Sequence, residues 1–184
     1  MIPAALDTPS EILAANPHVC ISRAAAVARF SLRARGDLAP IEAALGMALP
    51  ARIGAGAQKG ARTALRLGPD EWVVQTAPDD AGAVVAALDA IYDNAPHSFV
   101  DVSGREITLV IEGPQAMDLL CVGMARDPQD IATGDARRLN FDGVTVVLWR
   151  DGPYRVRMDV WHSFVPHVLG LLETAMREFA AQGH

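Results

Sequence analysis

The sequence predicts an α+β fold built from two tandem strand–helix–strand–strand–helix repeats, with mostly antiparallel sheets and helices packed on them. Three observations predict it. Several short segments alternate between apolar and polar residues, amphipathic segments end at glycines, and similar segments recur at a fixed offset. The chain has 184 residues, of which 51% are hydrophobic, so we expect a single compact unit over 1–184.

Residues 1–19 are predicted to form an N-terminal extension with a short helix. The segment Thr8-Pro9-Ser10-Glu11 has the capping-box pattern, and proline occupies the first helical position. We expect this helix to run to about Ala15.

The first half continues with a strand, a helix and a loop. The segment Ala26–Arg35 alternates in polarity, which predicts a half-buried strand. Asp37 is expected to cap the next helix and Gly46 to end it. The glycine-rich stretch Pro50–Ala61 is predicted to be a mobile loop. We disfavour a phosphate-binding loop there because such a loop leads into a helix, whereas a strand follows here.

The remaining elements follow from the same patterns. Asp79 and Asp80 are expected to cap the helix that closes the first half. Asp142-Gly143 is a strong hairpin signal. The predicted strands are Thr63–Leu67, Trp72–Thr76, His97–Val102, Glu106–Glu112, 136–141, 144–150 and Tyr154–Val160, and the predicted helices of the second half are Gly113–Val122 and Ser163–Ala181.

Two offsets relate the halves. Phe30–Gly36 matches Ile107–Gly113 at an offset of 77 residues, and Leu45-Gly46 matches Val122-Gly123 at the same offset. Gly68-Pro69 matches Gly152-Pro153 at an offset of 84. We therefore place the two pseudo-repeats at about 20–95 and 96–184.

Composition excludes several classes of protein. The net charge of −6 argues against nucleic acid as a partner, although residues 1–67 carry +4 and residues 68–184 carry −10. Two cysteines exclude a disulfide framework. No apolar run of about 18 residues and no secretion signal is present, so we expect a cytoplasmic chain without membrane contact.

The sequence offers no catalytic or metal-binding motif. A Gly-x-Ser-x-Gly nucleophile elbow is absent, and no GxGxxG segment links a strand to a helix. His162 and His167 are five residues apart and do not share a helix face as paired ligands would. We therefore predict no catalytic residue and no metal ligand.

Several motifs carry a family resemblance that covers roughly residues 20–180. They are Arg66–Trp72 (RLGPDEW), Val100–Arg105 (VDVSGR), Leu109–Ala116, Val147–Arg150 and Trp161–Phe164. Together they resemble the gamma subunit of heterotetrameric sarcosine oxidase. That family is similar in fold to part of the aminomethyltransferase of the glycine cleavage system, which implies a folate-binding-like α+β fold.

The resemblance implies an accessory subunit with a structural role and no active site of its own. Its complex demethylates sarcosine oxidatively to glycine, forms peroxide and passes the one-carbon unit to tetrahydrofolate. FAD, FMN, NAD and tetrahydrofolate are implied for the whole complex, with none bound by this chain, and the alpha, beta and delta subunits are the implied partners. The alternatives are a subunit of an N-methylglutamate dehydrogenase, a stand-alone folate-dependent aminomethyltransferase-like protein and an unrelated scaffold.

Asp101 is the candidate folate-binding residue. Aminomethyltransferases carry a similar Asp-Val-Ser-His motif in which the aspartate contacts folate. Here Gly104 replaces the histidine. An aspartate that ends a strand before Ser103-Gly104 is also typical of a structural turn.

The candidate partner interface consists of arginines and tryptophans, which are the usual anchors of protein interfaces. Strand alternation places the arginines on faces that we expect to be exposed. The predicted interface residues are Arg29, Arg33, Arg35, Trp149, Arg150, Arg155, Arg157 and Trp161.

Overall fold

The computed structural model describes residues 9–181, with side chains from residue 11 onward. The described chain forms two compact units, one of residues 26–103 and the other of residues 9–25 with 104–181. The element order is β1 (Pro9–Ala15), β2 (Cys20–Ala24), β3 (Ala28–Ala34), α1 (Ala39–Leu45), β4 (Gly56–Lys59), β5 (Arg62–Gly68), β6 (Glu71–Thr76), α2 (Ala81–Asp89), β7 (His97–Asp101), β8 (Glu106–Glu112), α3 (Ala116–Leu120), β9 (Ala136–Phe141), β10 (Val144–Arg150), β11 (Arg155–Trp161) and α4 (Val165–Ala181).

Each unit contains one antiparallel sheet. The strand order is β4-β5-β6-β3-β7 in the first unit and β1-β2-β8-β11-β10-β9 in the second. Both units therefore contain one strand, one helix, three strands and one helix in chain order. A further strand lies beside the first strand of this series: β7 beside β3 in the first unit, and β2 beside β8 in the second. This confirms the α+β class with two similar, mostly antiparallel sheets. The first repeat has one strand, β4, more than predicted, whereas the strands β9, β10 and β11 of the second repeat were all predicted.

The additional strand of the first repeat lies inside the stretch predicted to be a mobile loop. Gly56–Lys59 pairs in antiparallel register with β5, with Gly56 opposite Leu65 and Lys59 opposite Arg62. The strand is held to β5 by backbone hydrogen bonds, which do not depend on the side chains. Its small residues do not alternate between apolar and polar, so the sequence did not predict it.

The predicted N-terminal helix is wrong. Pro9–Ala15 is a strand that pairs with β2, with Ile12 opposite Ser22 and Ala15 opposite Cys20. Thr8 of the capping-box pattern lies outside the described residues. The local helix signals are overridden here because the segment pairs with the adjacent strand β2, with two register shifts along the ladder.

The boundaries of the two observed units differ from those of the predicted repeats, 20–95 and 96–184. Residues 20–25 lie in the second unit, where β2 pairs with β8. Residues 97–103 lie in the first unit, where β7 pairs with β3. Each unit takes its flanking strand from outside the predicted repeat.

Buried apolar residues form one core in each unit. In the first unit, β3 and β6 pack their apolar face against α1 and α2. In the second unit, β8, β10 and β11 do so against α3 and α4. The buried core includes Phe30, Leu32, Ile41, Leu45, Trp72 and Leu88 in the first unit, and Ile21, Leu109, Phe141, Met158 and Leu172 in the second.

Several local predictions hold in detail. Asp37 Oδ1 accepts a hydrogen bond from the Ala39 N–H at 3.0 Å. Gly46 ends α1 in the left-handed region with φ 66°. Asp142 and Gly143 both have positive φ, 44° and 84°, as a two-residue hairpin turn requires.

Candidate functional site

Asp101 holds a turn at the end of β7. Its Oδ1 accepts hydrogen bonds from the Ser103 N–H at 2.8 Å and the Ser103 hydroxyl at 2.6 Å. These bonds lower the pKa of Asp101 because they favour the charged carboxylate. Ser103 Oγ in turn accepts from the Arg29 N–H at 2.9 Å. The Asp-Val-Ser motif therefore joins the end of β7 to β3, and one carboxylate oxygen is committed to that turn.

The RLGPDEW motif builds the hairpin between β5 and β6. The Arg66 guanidinium donates to the Gly68 carbonyl at 3.0 Å and to the carbonyls of Ala51 and Pro69. Its Cζ lies 4.9 Å from the centre of the Trp72 ring. The Trp72 Nε1–H donates to the Pro50 carbonyl at 3.1 Å. The motif thus forms a hydrogen-bonded turn in which the arginine donates to neutral carbonyl acceptors.

The same turn presents Asp70 to two predicted interface arginines. Arg35 Nε donates to Asp70 Oδ2 at 2.8 Å, and Arg33 Nη1 lies 3.4 Å from Oδ1. Both arginine side chains are exposed, by 55% for Arg33 and 86% for Arg35. The Arg35 bond is the main cause that lowers the pKa of Asp70. Arg33 and Arg35 are therefore exposed, as the sequence predicted.

The prediction that Arg29 belongs to an exposed row with Arg33 and Arg35 is wrong, because Arg29 is buried. Only 2% of its surface is exposed. It faces Gln75 across the β3–β6 ladder. With the amide oxygen of Gln75 turned toward it, Arg29 donates from Nε at 3.3 Å and from Nη2 at 3.2 Å. Alternation placed Arg29 on the correct face of β3, but that face is covered at this position.

The prediction that Trp149 and Arg157 are exposed is also wrong, since both are buried. They are register partners on β10 and β11, and Arg157 Cζ lies 4.7 Å from the Trp149 ring centre. Arg157 forms a two-point ion pair with Asp151, at 2.6 and 3.0 Å. The Trp149 Nε1–H donates to the buried Asp159 at 2.8 Å. These side chains form a polar network inside the second unit and not an exposed interface.

The two other arginines of this region are half-buried and engaged with their own chain. Arg150 Nη1 donates to the carbonyls of Gln129 and Ile131 at 2.9 and 2.8 Å. Arg155 pairs with Glu112. Arg150 fastens the loop before β9, and Arg155 links β11 to β8.

Trp161 is exposed as predicted, and it belongs to a larger aromatic cluster. Trp161 and Phe164 are 46% and 43% exposed, with ring centres 6.4 Å apart. Arg105 Cζ lies 5.5 Å from the Trp161 ring centre, while its Nε and Nη2 donate to Glu106 at 3.1 and 2.7 Å. Sequence reasoning missed Arg105 and Phe164 as cluster members. Trp161 lies opposite Glu106 in the β8–β11 register, and this pairing brings the preceding residue, Arg105, close to the indole ring.

Asp80 was expected to cap a helix and instead forms an ion pair. Arg62 Nε and Nη2 donate to the two Asp80 oxygens at 2.6 and 2.8 Å, and the Thr76 hydroxyl donates at 2.7 Å. The Arg62 bond is the first cause that lowers the pKa of Asp80. Arg62 also donates to the Leu45 carbonyl at 2.7 Å, so the pair ties β5 to the end of α1 and the start of α2.

Residues 9–181 contain no group of three His, Cys, Asp or Glu side chains that could hold a metal ion. Burial, Asp127 and Asp118 raise the pKa of the Cys121 thiol, which keeps it in the less reactive protonated form. Within the same part of the chain, no helix has both the length and the apolar character needed to cross a membrane.

The fold is an α+β fold similar to that of an aminomethyltransferase. The glycine cleavage system aminomethyltransferase T from Bartonella henselae superposes with a TM-score of 0.62 at 14% identity, covering 84% of this chain and 45% of that one, which is a likeness of fold. Heterotetrameric sarcosine oxidase from Corynebacterium sp. U-96, solved with pyrrole 2-carboxylate, superposes with a TM-score of 0.77 at 28% identity. That match covers 95% of this chain and 92% of the solved one.

Two relatives are similar in sequence. Sarcosine oxidase subunit gamma from Corynebacterium sp. (strain P-1) is 31% identical over 151 residues, covering 80% of this chain and 73% of the relative. The same subunit from Arthrobacter sp. is 33% identical over 150 residues, covering 78% and 71%. No family model matches the chain. The chain belongs to the family of sarcosine oxidase gamma subunits, which confirms the predicted resemblance.

Proposed function

We propose that this chain is the accessory, gamma-type subunit of a heterotetrameric sarcosine oxidase-like complex. The observation that carries the proposal is the sequence match to gamma subunits over more than 70% of their length. The superposition on a chain of a heterotetrameric sarcosine oxidase supports it. In this role the chain assembles with other subunits and has no active site of its own.

The proposed partners are the alpha, beta and delta subunits of that complex. The complex oxidises the N-methyl group of sarcosine, releases glycine, passes the one-carbon unit to tetrahydrofolate and forms peroxide. FAD, FMN, NAD and tetrahydrofolate are proposed to be bound by the other subunits. The cytoplasm is the proposed compartment, because Cys20 and Cys121 are free thiols, as is usual in reducing surroundings.

The exposed part of the predicted interface supports an assembly role. Arg33, Arg35 and Trp161 present guanidinium and indole groups to solvent. Arginine and tryptophan contribute most to binding energy at many interfaces. Arg29, Trp149 and Arg157 are buried within the chain and stabilise it, so they are removed from the proposed contact surface.

The test is purification of the chain alone and with the three partner subunits. Alone, the chain is expected to show no flavin absorbance and no oxygen uptake with sarcosine. Co-expressed, it is expected to copurify in equimolar amount, and omitting it should reduce assembly of the active oxidase. A stoichiometric flavin band on the isolated chain, or no copurification, would contradict the proposal.

The same preparation separates the alternatives. A complex that oxidises N-methylglutamate and not sarcosine would make the chain a subunit of the related dehydrogenase. Titration of the isolated chain with tetrahydrofolate tests the stand-alone folate-binding alternative. Asp101 uses its Oδ1 in the Ser103 turn, and Asp101→Asn can keep that acceptor while it replaces the other oxygen with an NH2 group. Loss of folate binding in this variant would therefore indicate that the other carboxylate oxygen contacts the folate.

A further inference from the structure

A cleft of about 440 Å³ opens in the first unit beside the turn between β5 and β6. It has a charged rim and an apolar lining. The rim carries Arg35, Arg66 and Asp70, and the apolar lining includes Ala34, Leu38, Pro69 and Trp72. Such a combination suits a peptide that carries both acidic and apolar side chains.

Arg66 brings an uncompensated positive charge to this cleft. A guanidinium has five N–H donors, and three of those of Arg66 bond to the carbonyls of Gly68, Ala51 and Pro69. Carbonyl groups carry no net charge. Within residues 9–181 no carboxylate forms an ion pair with Arg66, so its charge has only neutral hydrogen-bond partners.

Arg35 adds a second available guanidinium. Its Nε bonds to Asp70, while its side chain is 86% exposed. Asp70 also neutralises part of the charge of Arg33. The Asp70 side chain, which is 22% exposed, therefore serves two exposed arginines, and the residues that line the cleft include two arginines and one carboxylate.

We propose that this cleft is the docking site for an acidic segment of a partner subunit, with Asp or Glu side chains on Arg35 and Arg66 and a small apolar side chain against Leu38 and Pro69. The proposal rests on the proposed function, since it requires that partner subunits exist. Arginine suits this task because its planar fork binds carboxylates at two points and is less strongly hydrated than lysine.

Asp70 competes with the proposed acidic ligand for the guanidinium groups at the cleft. Its carboxylate holds Arg33 and Arg35, so an incoming acidic segment must share or displace it. Asp70→Asn therefore has a distinctive expected sign. It should strengthen docking because it removes a repelling charge and frees both arginines. A merely structural ion pair would give no gain in affinity.

The experiment measures the affinity of the purified full chain for the complex of the other three subunits. The variants are Arg35→Glu and Asp70→Asn. Matched controls are Arg126→Glu and Asp79→Asn, which change exposed charges that do not line the cleft. Melting temperatures establish that every variant is folded. Each affinity is measured at low salt and at about 0.5 M salt, where the Debye length is only a few ångströms.

Arg35→Glu is expected to raise Kd about tenfold at low salt, and Asp70→Asn to lower it several-fold, with both effects shrinking at high salt. The controls should match the unchanged chain. If the unchanged chain does not bind the other subunits, the proposed function fails. If it binds and neither cleft variant differs from its control, the proposed function stands and the cleft is not the docking site.

Discussion

Arg66 and Trp72 face each other across the β5–β6 ladder, with the guanidinium carbon 4.9 Å from the centre of the indole ring. The corresponding hairpin of the second unit has the same pairing with the strands exchanged. There Trp149 on β10 faces Arg157 on β11 at 4.7 Å. In the first unit the arginine bonds to carbonyls, and in the second it pairs with Asp151. One side-chain pairing thus lines a surface cleft in one unit and belongs to a buried, ion-paired network in the other.

The buried Arg157–Asp151 pair is expected to be a major stabilising contact. Arg157→Ala should lower the free energy of unfolding by about 3–5 kcal/mol, because Asp151 would remain buried without its partner. The double variant Arg157→Ala with Asp151→Ala should lose less than the single variants Arg157→Ala and Asp151→Ala together, by about 1–3 kcal/mol. Urea denaturation measures all four proteins. Additive effects would show that the two side chains are not coupled.

Gly113 is expected to tolerate no side chain. Its φ is 133°, and an added Cβ would lie 2.3 Å from the His18 carbonyl oxygen. Gly113→Ala should therefore destabilise the protein by more than about 2 kcal/mol or prevent folding. Gly170, within α4, has open space around it, so Gly170→Ala should stabilise by about 0.5–1 kcal/mol. Thermal unfolding compares the two, and equal effects would contradict the predicted contact at Gly113.

Acid is expected to weaken the tie that Asp80 makes to Arg62 and Thr76. The pKa of Asp80 in the folded chain lies below its ordinary value of 3.8, so the carboxylate favours the folded state above that value. This contribution is lost as pH falls below about 5 and through the folded pKa. Asp80→Asn should lower stability at neutral pH and flatten its decline in acid. Asp79→Asn is the control, and an unchanged acid profile in Asp80→Asn would refute the assignment.

The Trp161–Phe164 cluster is expected to contribute to assembly more than to stability. Both rings are nearly half exposed, so Trp161→Ala and Phe164→Ala should shift the melting temperature by only a few degrees. Each should weaken binding to the partner subunits about tenfold or more if the cluster lies in the contact. Tyr154→Ala removes another exposed aromatic and serves as the control. Unchanged copurification of both variants would exclude the cluster from the interface.

The sequence by itself determined the features that depend on neighbouring residues. The Asp37 hydrogen bond to the first residue of α1, the glycine end of α1 and the Asp142-Gly143 turn require only local backbone geometry. Strand polarity also assigned the faces of β3 and β11 correctly, because successive side chains point to opposite sides of a strand. The family motifs then identified the fold before any contact was known.

Only the tertiary structure decided what covers each face and which strands pair. Pro9–Ala15 became a strand because β2 lies beside it, although its local signals favoured a helix. Arg29 and Arg157 have the same polar-face pattern as Arg33, yet they are buried with their own partners. Alternation specifies the side to which a residue points, but burial and strand pairing depend on segments that are distant in the chain.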